Sequence, residues 1–295
     1  MNYCFISILT AVWLLSPLTT HAAHEVYVEP GTYNISVKRW SDTISNATFD
    51  SDTWIWNLEK KDRLHKNGNR DTLLSIPRSS TPEDITLVVW FHGLGGFSKK
   101  GFIKRILPQM EHVVANESSF AIAVPEMPWS TNTSTPRKRQ GRVWTKQGEL
   151  ERYVASVKQR MQEWAVLRHG RPLGTVRIIF VGHSAGGSAL MSASVEGGLC
   201  KLKPEAIIWS DASYGYWLDR SVNTCIKDTN TQLHILVRKW DKPHRNAGRA
   251  IKRIKRLGLK FIPDVRYQVL ERRRWTHSKI GNSVFMLTDV FPPGC

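Results

Sequence analysis

The sequence predicts an α/β protein with a mostly parallel central sheet and helices on both faces. Three observations predict it. Apolar runs rich in β-branched and aromatic residues recur along the chain, among them 85–91 (ITLVVWF), 120–124 (FAIAV) and 176–181 (VRIIFV). Such runs read as strands buried on both faces. Helical periodicity lies between them, and regular alternation of strand and helix marks parallel strands joined by crossover helices. At 176–187 (VRIIFVGHSAGG) a buried strand turns through Gly182-His183-Ser184-Ala185-Gly186 into a small-residue helix. That G-x-S-x-G spacing places a serine at the tip of a sharp turn, and the two glycines remove side chains that would collide with neighbouring backbone.

No charged side chain precedes Glu25, an apolar stretch covers 5–15, and Pro17 is followed by small residues ending in Ala22-Ala23. This is the pattern of a secretory signal peptide, cleaved after Ala22 or Ala23, although its first residues lack Lys and Arg. An uncleaved anchor would need a longer apolar span. The expected organisation is a signal peptide over 1–22 and one domain over 23–295, secreted or periplasmic.

From 25 to 77 the pattern predicts short strands at 26–28, 33–37 and 72–76. The segment 41–70, with Trp54 and Trp56 in alternation, reads as a hairpin followed by a polar surface loop. The run 85–91 is a buried strand that ends in His92-Gly93-Leu94-Gly95-Gly96. A helix is expected to start near Pro108, a residue suited to a first helical turn. The strand 120–124 stops at Pro125. A polar excursion over 128–148 carries Trp129 and Trp144.

Residues 149–169 form the clearest helix, because Leu150, Tyr153, Val154, Val157, Met161, Trp164 and Ala165 recur at three- and four-residue spacing. Gly170 and Pro172 stop it. After the serine turn a helix continues over 188–196. Strands follow at 205–209 and 232–237, a basic helix at about 244–257, and a last strand at 265–270. His277 then stands in a polar loop.

Composition narrows the setting. The chain has 4 cysteines, and Cys4 would leave with the signal peptide. Cys200 and Cys225 flank one predicted strand and loop and are expected to pair in an oxidising compartment. Cys295 leaves other pairings open. There is no C-x-x-C and no His/Cys grouping of metal type, so no metal and no organic cofactor is expected. With 42 Lys+Arg against 25 Asp+Glu the formal net charge is +17. The cations gather at Arg137-Lys138-Arg139, at 252–256 and at Arg272-Arg273-Arg274. An export signal turns the expected partner away from nucleic acid and toward an anionic cell-surface or wall polymer, or else these are ordinary solvated faces. Asn34, Asn46, Asn116 and Asn132 head N-glycosylation sequons, which matter only in a source that glycosylates.

The turn at Ser184 resembles the nucleophile elbow of the α/β-hydrolase superfamily, and the order of parts follows that fold over nearly all of 23–295. Two further segments carry motif-level resemblance. His92-Gly93-Leu94 is similar to the H-G-x-G segment that forms half of the family's oxyanion hole, which implies the Leu94 and Ala185 N–H groups as the two donors. Asp211-Ala212-Ser213-Tyr214-Gly215 resembles a D-A-x-Y-G stretch of some secreted bacterial members. The family's chain order of serine, acid, then histidine implies Ser184 as nucleophile and His277 as general base. His183, inside the elbow, is expected to pack or bond locally, and His244 opens the basic helix. Asp211 and Asp241 both stand at strand ends. Asp241 also suits a helix N-cap before Lys242-Pro243, so Asp211 is chosen as the acid.

The resemblance implies hydrolysis of an ester, small or polymer-borne, through an acyl-enzyme, with an amide or peptide bond as the lesser expectation. An acyltransferase acting on a glycan or wall-polymer hydroxyl would use the same residues. A non-catalytic binder of anionic polymer is the reading from another class. Without a recognisable long lid insertion, the sequence gives little support to a lipase for long acyl chains.

Overall fold

Nine strands make one twisted sheet in the computed structural model, which describes residues 26–28, 32–33, 44–45, 51–57, 71–93, 106–115, 119–125, 147–196, 198–226, 230–256 and 265–291. The signal-peptide region, Leu94, Trp129, Trp144, the cations at 137–139, Leu257, the four sequon asparagines and Cys295 lie outside the described residues.

The strands are β1 (Val26–Val28), β4 (Ser51–Asn57), β5 (Asp71–Pro77), β6 (Asp84–Phe91), β7 (Phe120–Pro125), β8 (Thr175–His183), β9 (Ala206–Ser210), β10 (Gln232–Arg238) and β11 (Val265–Leu270). A separate two-stranded pair joins β2 (Thr32–Tyr33) to β3 (Ile44–Ser45). The sheet order is β1-β4-β5-β7-β6-β8-β9-β10-β11. Strands β1, β4 and β5 run antiparallel, and all pairs from β7 through β11 are parallel. This crossed order is the α/β-hydrolase fold, as the sequence predicts.

The helices are α1 (Leu107–Ala115), α2 (Glu149–His169), α3 (Gly186–Val195), α4 (Gly198–Lys201), α5 (Trp217–Thr224), α6 (Lys242–Arg256), α7 (His277–Gly281) and α8 (Val284–Thr288). Strand residues alternate between two cores. Leu87, Val89, Phe91, Ile178 and Phe180 pack with α2, α3, α5 and α6, while Val88, Trp90, Ile179 and Val181 pack with α1, α7 and α8. A strand with both faces covered gains no advantage from polar alternation, which is why these segments read as continuous apolar runs. Phe91 and Phe180 stack at 6.1 Å on adjacent strands. Burying a side chain of that size contributes about 2–3 kcal/mol.

Helix α2 ends as its sequence dictates, with Gly170 in the left-handed region at φ 66° and its N–H donating to the Val166 carbonyl. Residues 51–57, expected as part of a hairpin, form β4, which carries Trp54 and pairs with both β1 and β5. Of the strand expected at 33–37, Tyr33 is in β2 and the remainder is outside the described residues. The basic helix begins at Lys242, two residues earlier than expected, with Pro243 in its first turn. Short helices α4, α5, α7 and α8 have no counterpart in the sequence reading. Cys200 on α4 and Cys225 just after α5 form a disulfide with Cα atoms 5.9 Å apart, the pairing expected from sequence.

Candidate active site

Parallel strands end on one edge of the sheet, and every described candidate for the site lies there. Ser184 follows β8 directly and takes φ 54°, a conformation that L side chains adopt at a cost. Two bonds fix the turn: the Ser184 N–H donates to the Ser210 carbonyl at 3.1 Å, and the Gly187 N–H donates to the Ser184 carbonyl at 3.1 Å. The flanking glycines are required by packing. A Cβ on Gly182 would lie 2.6 Å from Leu190 Cδ1, and one on Gly186 would overlap the Phe91 carbonyl oxygen. The helix α3 begins at Gly186, so the N–H groups around Ala185 belong to a helix start, where no intrahelical acceptor exists.

The segment after β6 meets this turn. A Cβ on Gly93 would stand 3.1 Å from Ser184 Cβ and 3.5 Å from its Oγ. His92 is buried, and its Nδ1 donates to the Gly93 carbonyl at 2.7 Å. Leu94, the residue implied as an N–H donor, is outside the described residues.

Asp211 follows β9 with φ 47° and is buried. Its N–H donates to the Leu236 carbonyl at 2.7 Å, and its Oδ1 accepts the Arg238 N–H at 3.3 Å. Its Oδ2 lies 2.6 Å from His277 Nδ1. A carboxylate accepts, so Nδ1 of His277 carries the proton and Nε2 of the neutral ring holds the lone pair. Asp241 has other partners. Its carboxylate pairs with the Arg238 guanidinium, and its carbonyl accepts the Arg245 N–H to open α6, the helix-cap position foreseen for it.

His277 is not in a loop. It is the first residue of α7, whose N-cap Thr276 accepts the Lys279 N–H through its hydroxyl at 3.1 Å. The sequence Thr276-His277-Ser278-Lys279 contains that cap signal, but the helix it opens is too short to show a period. Helix α7 rests on the elbow through His183. The His183 and His277 rings are 4.8 Å apart, and His183 Nδ1 donates to the Ser210 carbonyl at 3.1 Å. Local packing is the role expected of His183. A Cβ on Gly281 would come within 2.6 Å of the His183 ring, so only glycine lets α7 settle this closely. Gln109 of α1 completes the seat: its Nε2 donates to the Gly281 carbonyl at 3.4 Å, and its Oε1 accepts the Phe285 N–H at 2.9 Å.

Tyr214 was not singled out from sequence beyond its motif. Burial pushes its phenol pKa up and the Asp211 charge adds to that, while the Ser184 hydroxyl acts on it as a lowering hydrogen-bond partner. Among the described residues no group of three or more His, Cys, Asp or Glu is placed to hold a metal ion. No described helix is long and apolar enough to cross a membrane.

No protein-family model and no curated protein sequence matches the chain. Solved structures do align with it at low identity. An IroE-like serine hydrolase from Shewanella oneidensis is 13% identical, covering 80% of this chain and 78% of its own, with TM-score 0.48. The S-formylglutathione hydrolase of Staphylococcus aureus is 12% identical over 91% of this chain and 99% of its own, with TM-score 0.41. A phosphonate-inhibited esterase B from Lactobacillus rhamnosis is 11% identical over 82% and 85%, with TM-score 0.47. The class of this protein is set by its own strand order and serine turn: an α/β-hydrolase fold with a polar site above the carboxyl edge of the sheet.

Proposed function

We propose that the protein is a secreted serine esterase acting through Ser184, His277 and Asp211. The observation that supports this most is the 2.6 Å contact between the buried Asp211 carboxylate and His277 Nδ1, on the same sheet edge as a serine held at positive φ.

In this reading His277 Nε2 takes the Ser184 hydroxyl proton as the oxygen attacks the ester carbonyl. The carbonyl π pair moves to oxygen, and the Ala185 and Leu94 N–H groups hold that oxyanion. Collapse of the tetrahedral intermediate breaks the bond to the alkoxide, which leaves with the proton from His277. Water then repeats the cycle on the acyl-serine, yielding the carboxylic acid and free enzyme. Asp211 fixes the Nδ1–H tautomer and stabilises the imidazolium.

The test is hydrolysis of short-chain aryl esters by the full chain and by Ser184→Ala. The reading expects a burst of the alcohol product followed by steady turnover in wild type, and a loss of about a millionfold in Ser184→Ala. Equal turnover by the two proteins would exclude Ser184 as the nucleophile. An added polyol or glycan acceptor that diverts acyl groups from acid to new ester would reassign the protein as an acyltransferase.

A further inference from the structure

Three cation–aromatic pairs involve residues that follow β9, β10 and β11: Arg249 lies 5.3 Å over the Tyr216 ring, Lys239 lies 5.6 Å over Trp240, and Lys279 lies 5.1 Å over Trp275. Arg249 comes from α6 and Tyr216 from the loop after β9, Lys239 and Trp240 from the turn after β10, and Lys279 from α7 with Trp275 in the turn before it. Main-chain and ionic links hold two of these together. The Lys239 N–H donates to the Leu270 carbonyl at 2.9 Å, and Lys239 Nζ pairs with Glu271 at 2.8 Å. That brings the turn carrying Arg272, Arg273 and Arg274 beside Trp240. All three arginines are exposed, and the ion pair beside them is that of Lys239 with Glu271.

Helix α6, which joins the end of β10 to the segment before β11, also carries exposed cations. It contains no acidic residue, its apolar face (Ala247, Ala250, Ile254) is buried, and Arg245, Lys252, Arg253, Lys255 and Arg256 point to solvent. Asp219 is an acidic neighbour on which Arg253 and Arg249 act. The consecutive exposed charges of Arg272, Arg273 and Arg274 repel one another, and the arrangement is stabilised when a polyanion covers it.

We propose that this rim is a docking surface for an acidic polysaccharide bearing carboxylate groups. The cations supply the charge complement, and the aromatic faces suit the apolar faces of pyranose rings. The most exposed of these rings are Tyr216 (65%) and Trp240 (67%). The proposal concerns binding alone and stands whether or not Ser184 is the nucleophile.

Polygalacturonate, which carries no ester, is the probe, and binding of the intact chain is measured by titration at several salt concentrations. The result expected is saturable binding that weakens steeply with salt, and no binding to neutral dextran. Replacing Arg272, Arg273 and Arg274 together by Ser should weaken it by about tenfold or more. The charge-matched control replaces Arg171, Arg177 and Lys201, cations away from this rim, and should change it by less than about twofold. Thermal melts establish that each variant is folded, and the salt dependence of wild type stands even if one is not. Equal losses in the two triple variants would overturn the proposal, as would no binding by wild type. Tighter binding to phosphatidylglycerol vesicles or duplex DNA than to polygalacturonate, at equal charge, would also overturn it.

Discussion

The Asp211 carboxylate at the end of β9 accepts the Nδ1 proton of His277 at 2.6 Å, across 66 residues of sequence. The other strand-end aspartate, Asp241, is held by Arg238. The two aspartates therefore predict opposite outcomes. Asp211→Asn should leave the fold intact and lower kcat on a short-chain ester by about 10⁴-fold, because the imidazole loses its tautomer and its counter-charge. Asp241→Asn should lower kcat by less than about tenfold and chiefly loosen the start of α6, an effect of about 1 kcal/mol. Steady-state kinetics on both variants checks this, and the reverse ranking would move the acid to Asp241.

Gly281 is the seat on which α7 rests. A methyl group there would press into the His183 ring. Gly281→Ala should cost about 1–3 kcal/mol through overpacking. It should also displace His277, lowering kcat more than it changes KM. Gln109→Leu removes two bonds to the same region and should lower kcat in the same sense. A pair of variants that lose stability with unchanged kcat would separate α7 packing from catalysis.

The Cys200–Cys225 disulfide closes a loop with a sequence separation of 25 residues. Loop-closure entropy assigns it about 3 kcal/mol. The double variant Cys200→Ala/Cys225→Ala should therefore melt roughly 6–12 °C lower. Differential scanning calorimetry with and without reductant gives the number, and reductant should shift wild type alone.

Stability should decline at alkaline pH. The Tyr153 phenol is buried and donates to or accepts from Thr72 Oγ1 at 2.8 Å, and burial raises its pKa above the ordinary 10.0. Tyr214 and Tyr267 are raised in the same direction, burial being the first cause for each. The folded state then holds phenolic protons that the unfolded chain releases. By linkage, the contribution of these groups is fully present below pH 10.0 and is lost progressively above it. Urea unfolding across that range measures the slope, and Tyr153→Phe should make it shallower.

The fold was legible where one physical cause acts over many residues. Buried strands on β6, β7 and β8 announce themselves because both faces need apolar side chains, and the period of α2 survives over 21 residues. The serine turn was legible because two glycines are demanded by specific neighbours, Leu190 and Phe91. What sequence reading missed acts through few residues. Helix α7 is five residues long, so its period cannot register, and His277 was expected in a loop. Gln109 and Gly281 sit 172 residues apart, and only the crossed order of the sheet brings α1 under α7. Asp211 is preferred to Asp241 in sequence because Asp241 also suits a helix N-cap and Asp211 heads the D-A-x-Y-G resemblance; the pairing of Asp241 with Arg238, an i, i+3 contact, has no signal of its own in the sequence.

An activated Ser184 is the centre of the proposed chemistry, and covalent labelling by a fluorophosphonate measures it most directly. Mass spectrometry of the intact protein and its peptides should find a single adduct on Ser184, absent in Ser184→Ala and formed at least about a thousandfold more slowly in His277→Ala. Labelling of another residue, or equal rates with and without the imidazole, would contradict it.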